Sequence, residues 1–215
     1  MRRKILIGTV LLTFGLSACS SGGGNKAPDD PVPAHPPQAA HKSAPDAQGN
    51  TDDPLALGKP VQTDGSPSRV PGGGPLELTP TDVVYAKGGT GPYTKARNGL
   101  FAVISVKEKA TRAAPAAQAV SLDGGGWKWV APDGRATDSG SGNGAAIVQG
   151  GGHGNIVQPG TYDLTQVAFD IPEAARGGTL MFLDARGHIF RWKVPAKDSG
   201  PGAAELARKV RDDLT

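Results

Sequence analysis

The chain has 215 residues, of which 37% are apolar and 20% charged, with 32 Gly, 19 Pro and a single Cys. One cysteine excludes an internal disulfide, so any folded part must be held by a packed core. The formal charge of +3 is matched by Arg2, Arg3 and Lys4 at the extreme N-terminus, and without them no net charge and no basic stripe remain to argue for nucleic acid.

Those three residues are the positive start of a secretory signal, followed by an apolar run from Ile5 to Leu16 that is too short for a permanent membrane span. Leu16-Ser17-Ala18-Cys19 then supplies what a lipoprotein signal peptidase needs: a branched apolar residue, two small residues and a thiol. The expectation is a signal peptide over 1–18 and a mature chain that begins at Cys19. Its sulfur carries diacylglycerol and its N-terminus an acyl chain such as palmitate, which places the chain on the extracytoplasmic face of the cell membrane.

From 19 to 74 the composition is Gly, Pro, Ala, Ser, Asp and Gln, with Leu55 and Leu57 the main large apolar residues. Such a stretch is expected to be a disordered tether with extended Pro-rich pieces, since it cannot bury enough surface to offset its ordering entropy. As a coil it would reach on the order of 40 Å. His35 and His41 lie within it and read as solvated linker residues.

Past Gly74 the texture becomes that of short strands. Leu76 to Tyr85 predicts a strand bent at Pro80. In the Gly99 to Lys109 stretch Leu100, Ala102, Ile104 and Val106 share one face, while Phe101 and Val103 start the other. Ala113 to Ala119 reads as a loop, and Val120 to Leu122 and Trp127 to Val130 as strands. Pro132-Asp133-Gly134-Arg135 has turn chemistry. The Gly-rich stretch 138–155 reads as a long loop with one short strand near Ala145 to Val148. Thr161 to Ile171 alternates, and Asp184-Ala185-Arg186-Gly187 predicts a hairpin between Thr179–Leu183 and His188–Val194. Ala203, Leu206, Ala207, Val210 and Leu214 form the one helix-period stripe. The fold class expected is all-β: an immunoglobulin-like β-sandwich of about seven strands over 75–196, with a C-terminal tail at 197–215 that holds a short amphipathic helix.

Val157-Gln158-Pro159-Gly160, Val167-Ala168-Phe169-Asp170-Ile171-Pro172 and Thr179-Leu180-Met181-Phe182 together resemble exported bacterial lipoproteins that carry a telokin-like, immunoglobulin-like DUF4352-type domain. Asn98 to Val106 and Trp127 to Arg135 fit that family's central strand and its following strand and turn. The chain departs from it at Lys107-Glu108-Lys109, where the family commonly has Asn. The resemblance implies an immunoglobulin-like fold, and no catalytic residue comes with it.

Few residues read as chemistry. Cys19 is the lipidation site. Trp127 and Trp129 lie on the same side of a strand, and an exposed pair would form an aromatic platform for a sugar, a peptide or a partner surface. An exported enzyme using His153 with Asp163 or Asp138 is the rival, but no ligand spacing, nucleophile elbow or phosphate loop accompanies these residues. His188 reads as a half-buried strand histidine beside Phe190 and Trp192. The expectation is a non-enzymatic domain without metal or cofactor, held at the membrane through Cys19 and binding a protein or a cell-wall component, with a purely structural or antigenic surface protein as the further alternative.

Overall fold

The computed structural model describes residues 53–66, 69–120, 124–147 and 155–214. Among the described residues nine strands form two open sheets, and a C-terminal helix covers one of them. The strands are β1 (Leu55–Ala56), β2 (Val61–Thr63), β3 (Leu76–Ala86), β4 (Leu100–Ala110), β5 (Gly126–Val130), β6 (Ala136–Asp138), β7 (Tyr162–Ile171), β8 (Thr179–Leu183) and β9 (Ile189–Lys193). One sheet has the order β1-β9-β8-β5-β6 and the other β2-β3-β4-β7, so the chain is an all-β sandwich. Every pairing is antiparallel except that of β1 with β9.

The inner faces follow the period of two that strands impose. In β4, Leu100, Ala102, Ile104 and Val106 enter the core opposite Leu180, Phe182, Phe190 and Trp192 of the facing sheet. β3 changes parity midway. Leu76 and Leu78 point inward before Pro80, and Val83 and Tyr85 point inward after it, because the pairing with β4 shifts register between Pro80 and Asp82. The extra residue, Thr81, absorbs the one-residue slip that would otherwise turn half of the strand's apolar side chains to solvent.

The second apolar face at the start of β4 has its own cover. Phe101 and Val103 are buried with Val84 and Ala168 beneath α1 (Ala203–Leu214), whose Leu206 and Val210 pack on them. This strand is therefore apolar on both faces because it lies between the sandwich core and a helix. The helix is seated from β3: Asp82 Oδ1 accepts the Gly202 N–H at 2.5 Å, and Ser199 bridges to Val83. Glu205 stands in its first turn and Arg211 in its last, the arrangement that suits the helix dipole.

Three expectations change. The stretch expected to be disordered to residue 74 contains two strands, because Leu55–Ala56 pairs with Trp192–Lys193 and Val61–Thr63 pairs with Leu76–Leu78, and the part before residue 53 lies outside the described residues. These strands are so short that only their partners make them strands, which is why composition alone put them in the linker. They also raise the strand number from about seven to nine. The strand expected near Ala145 is instead a 3₁₀ turn at Gly144–Ala146 that tucks Ile147 against the second core. The turns at Gly134 and Gly187 have the positive φ expected of them, 88° and 84°.

At the far end of the sandwich, Asp170 is fully buried and ties two loops to β7. Its Oδ2 accepts the N–H groups of Arg97 (2.8 Å) and Asn143 (3.0 Å), and its Oδ1 accepts that of Asn98 (2.8 Å). Asn143 in turn donates from Nδ2 to the carbonyls of Pro92 and Lys95. Gly142, at φ 63°, lies so close that a Cβ there would stand 2.5 Å from Asp170 Oδ2.

Candidate functional site

Trp127 and Trp129 do not form a platform. Both face inward, at 3% and 0% exposure, and so does Trp192 at 0%. Trp127 packs on Phe182 and Trp192, with ring centroids 4.7 and 5.9 Å away, and Trp129 packs on Tyr85 and Phe169. Each indole N–H has a partner: Gln118 Oε1 for Trp127, the Ala175 carbonyl for Trp129 and the Lys59 carbonyl for Trp192. Burial therefore leaves no polar atom unsatisfied on these rings, and the sandwich gains its largest apolar side chains.

Cys19 and His153 lie outside the described residues. The two carboxylates set beside His153 have other partners. Asp138 pairs with Lys128 across the β5–β6 ladder, and Asp163 accepts the Asn155 side-chain amide at 2.6 Å.

A cleft of about 360 Å³ lies at the end of the sandwich where β3 starts and β4 and β8 finish. Three connections build it: Asp64, Gly65 and 73–75 between β2 and β3, Arg112 and Ala119 after β4, and the β8–β9 turn. Backbone hydrogen bonds lock them together, from Ser66 N–H to the Ala117 carbonyl, from Gly74 N–H to Pro115 and from Ala185 N–H to Ala119. Gly65 sits in the wall because a Cβ there would come within 2.1 Å of the Gly74 carbonyl oxygen. Arg112 and Arg186 supply positive charge, and Asp64 and Asp184 negative charge. Arg112 is exposed and has no ion-pair or hydrogen-bond partner among the described residues.

Asp184 organises the floor. It is 1% exposed, its Oδ1 accepts the N–H groups of Arg186 and His188 at 2.9 Å each, and its Oδ2 takes the Thr63 hydroxyl at 3.2 Å. Those two backbone bonds are the reason for an aspartate at the head of this turn. Its Oδ2 also stands 3.0 Å from His188 Nδ1, so the histidine ring is oriented by a fixed carboxylate. Asp64 faces them from the loop after β2, with Oδ2 3.0 Å from Arg186 Nε. Both partners of that ion pair are well exposed, at 42% and 69%, and such a pair contributes only about 0–1 kcal/mol. Donor atoms of Asp64, Asp184 and His188 lie within 4.8 Å of one another.

A second polar group is buried inside the sandwich. Glu108 is on the inner face of β4 at 0% exposure, with Oε1 accepting from Gln118 Nε2 (2.6 Å) and from the Thr165 hydroxyl (2.5 Å). Its Oε2 has no hydrogen-bond partner among the described residues. Burial pushes its carboxyl above the ordinary value of 4.5 and nearby Asp163 adds to this, against the Thr165 and Gln118 hydrogen bonds and the charge of Arg69.

No protein-family model, curated protein or solved structure matches the chain. The half-buried reading of His188 fits its 35% side-chain exposure, but its carboxylate partners were not visible from spacing. Asp184 lies four positions away and reads first as turn chemistry, while Asp64 lies on a different strand connection. The one available signal was the aspartate at the head of a hairpin that ends in histidine.

Proposed function

We propose that the chain is a lipid-anchored, extracytoplasmic binding protein whose sandwich presents the end cleft to a component of the cell envelope. The single observation that carries the binding half of this reading is Arg112, a guanidinium without a partner among the described residues, on the wall of a cleft held rigid by backbone hydrogen bonds. The anchor half rests on Leu16-Ser17-Ala18-Cys19. Two or three acyl chains on one N-terminus would hold the domain stably where a single chain binds only reversibly. Confinement at the membrane raises the local concentration against an envelope partner without any new contact. The domain is read as non-catalytic because the two carboxylates of the rival reading, Asp138 and Asp163, pair with Lys128 and with the Asn155 amide. Among the described residues no helix is long and apolar enough to cross a membrane.

Metabolic labelling with a palmitate analogue tests the anchor. Cys19→Ala is expected to lose the label and leave the membrane fraction, and a labelled variant would end this reading. Affinity capture from the intact envelope, with the anchor preserved, tests the cleft. Arg112→Glu is expected to lose the partner that the wild-type chain retains, and an unchanged partner set would remove the cleft from the argument.

A further inference from the structure

We propose that Asp64, Asp184 and His188 form a binding site for a divalent ion of the zinc class at the rim of the end cleft. The proposal deepens the reading of that cleft as a ligand site, although ion uptake itself does not depend on it. The geometry is close to what a single ion requires. His188 Nδ1 and Asp184 Oδ2 are 3.0 Å apart, and two ligands of one zinc, each bonded at about 2.0–2.2 Å, stand roughly 3–3.5 Å from each other. An ion taking the place of the hydrogen-bonded proton would engage both atoms once the imidazole turns to aim Nδ1 at it and the exposed Asp64 side chain closes in from within 4.8 Å. The neutral ring then carries its proton on Nε2, and Nδ1 offers its lone pair.

The third donor comes from across the cleft. Asp64 Oδ2 has its charge matched by the Arg186 guanidinium at 3.0 Å, so a cation already stands beside these carboxylates. Both side chains are exposed, which makes this a weak surface ion pair, and Arg186 can swing into solvent when an ion replaces it. Asp184 is the rigid element. Two backbone N–H groups and the Thr63 hydroxyl hold its carboxylate in place, the supporting contacts that orient a metal ligand. The adjoining cleft leaves the remaining coordination position to water or to a donor atom of the envelope ligand, the open arrangement of a site that binds rather than one that only stiffens. Mixed imidazole and carboxylate donors favour zinc over calcium or magnesium, which take oxygen ligands.

The test uses the full acylated chain in detergent micelles, stripped with chelator and titrated with zinc chloride. Equilibrium dialysis is expected to find one zinc per chain. At a hundredfold excess over the dissociation constant, Tm is expected to rise by about 5–10 °C. Asp64→Asn, an exposed position whose loss should leave the fold intact, is expected to weaken zinc at least about tenfold, and His188→Gln to weaken it further. Circular dichroism of the metal-free His188→Gln chain separates lost binding from lost structure. The proposal is overturned by absence of zinc uptake, by uptake unchanged in both variants, or by an equal Tm rise with calcium. Envelope capture repeated in chelator keeps the two readings apart: a partner retained there together with no zinc uptake would sink the ion site and leave the binding role standing.

Discussion

Replacing Asp170 by alanine should unlatch the far end of the sandwich. The carboxylate accepts three backbone N–H bonds of 2.8–3.0 Å from Arg97, Asn98 and Asn143. The donors are not equivalent. Arg97 and Asn98 are exposed, so water can replace the carboxylate and each bond contributes about its net value of 1 kcal/mol. Asn143 is 5% exposed, and stranding its N–H costs about 1–3 kcal/mol. The total for Asp170→Ala is about 3–5 kcal/mol, equivalent to a Tm loss of roughly 6–20 °C for a domain of this size. Asp170→Asn retains one oxygen, which can serve the two donors now on Oδ2, and turns an amide N–H₂ toward Asn98. It should therefore cost less, about 1–2 kcal/mol. Urea unfolding of the two variants measures the difference, and amide exchange at Arg97, Asn98 and Asn143 should accelerate together in the alanine variant. An alanine variant within about 1 kcal/mol of wild type, or an asparagine variant as damaged as alanine, would refute the clamp.

Two further outcomes test the core. Because the Glu108 carboxyl is raised above 4.5 in the folded chain, the folded form holds a proton that the unfolded form releases. Its contribution to stability is then fully present below the unfolded value and is lost as pH rises through the folded value. Glu108→Gln has no proton to lose at this position, so the unfolding free energy of the variant relative to wild type, from urea titrations, should increase as pH rises through the folded value; parallel pH profiles would contradict this. All three tryptophans, at 3%, 0% and 0% exposure, should resist acrylamide quenching until the chain unfolds. Trp127→Ala should cost about 3–5 kcal/mol. Indole emission quenched in the native state would return the pair to the surface.

Much of the fold was legible along the chain because strands and tight turns are local phenomena. The alternation in β7 and β9, the Pro132 to Arg135 turn and the Asp184 to Gly187 hairpin each rest on neighbouring residues, and each stands where expected. The site was less legible. Ion pairs and buried carboxylates depend on which connections meet at an end of the sandwich, and Thr63, Asp64, Asp184 and His188 come from separate parts of the chain. Glu108 looked like one member of a charged run, and only the inward parity of β4 shows it to be the buried one.

The sequence by itself determined the β class, the main turns and the helical stripe, since each is set by composition or by a period of two or 3.6 residues. The tertiary structure decided the facing of the sheets. A period of two puts Trp127 and Trp129 on one side of β5 without saying which side is the core, and Tyr85 and Phe169 of the facing sheet, packed on Trp129, settle that. It also decided the parity change at Thr81, the recruitment of Leu55–Ala56 and Val61–Thr63 as strands, and the cover that α1 gives Phe101. These outcomes depend on partners distant in sequence, whose packing and hydrogen bonds form only when both sheets are in place.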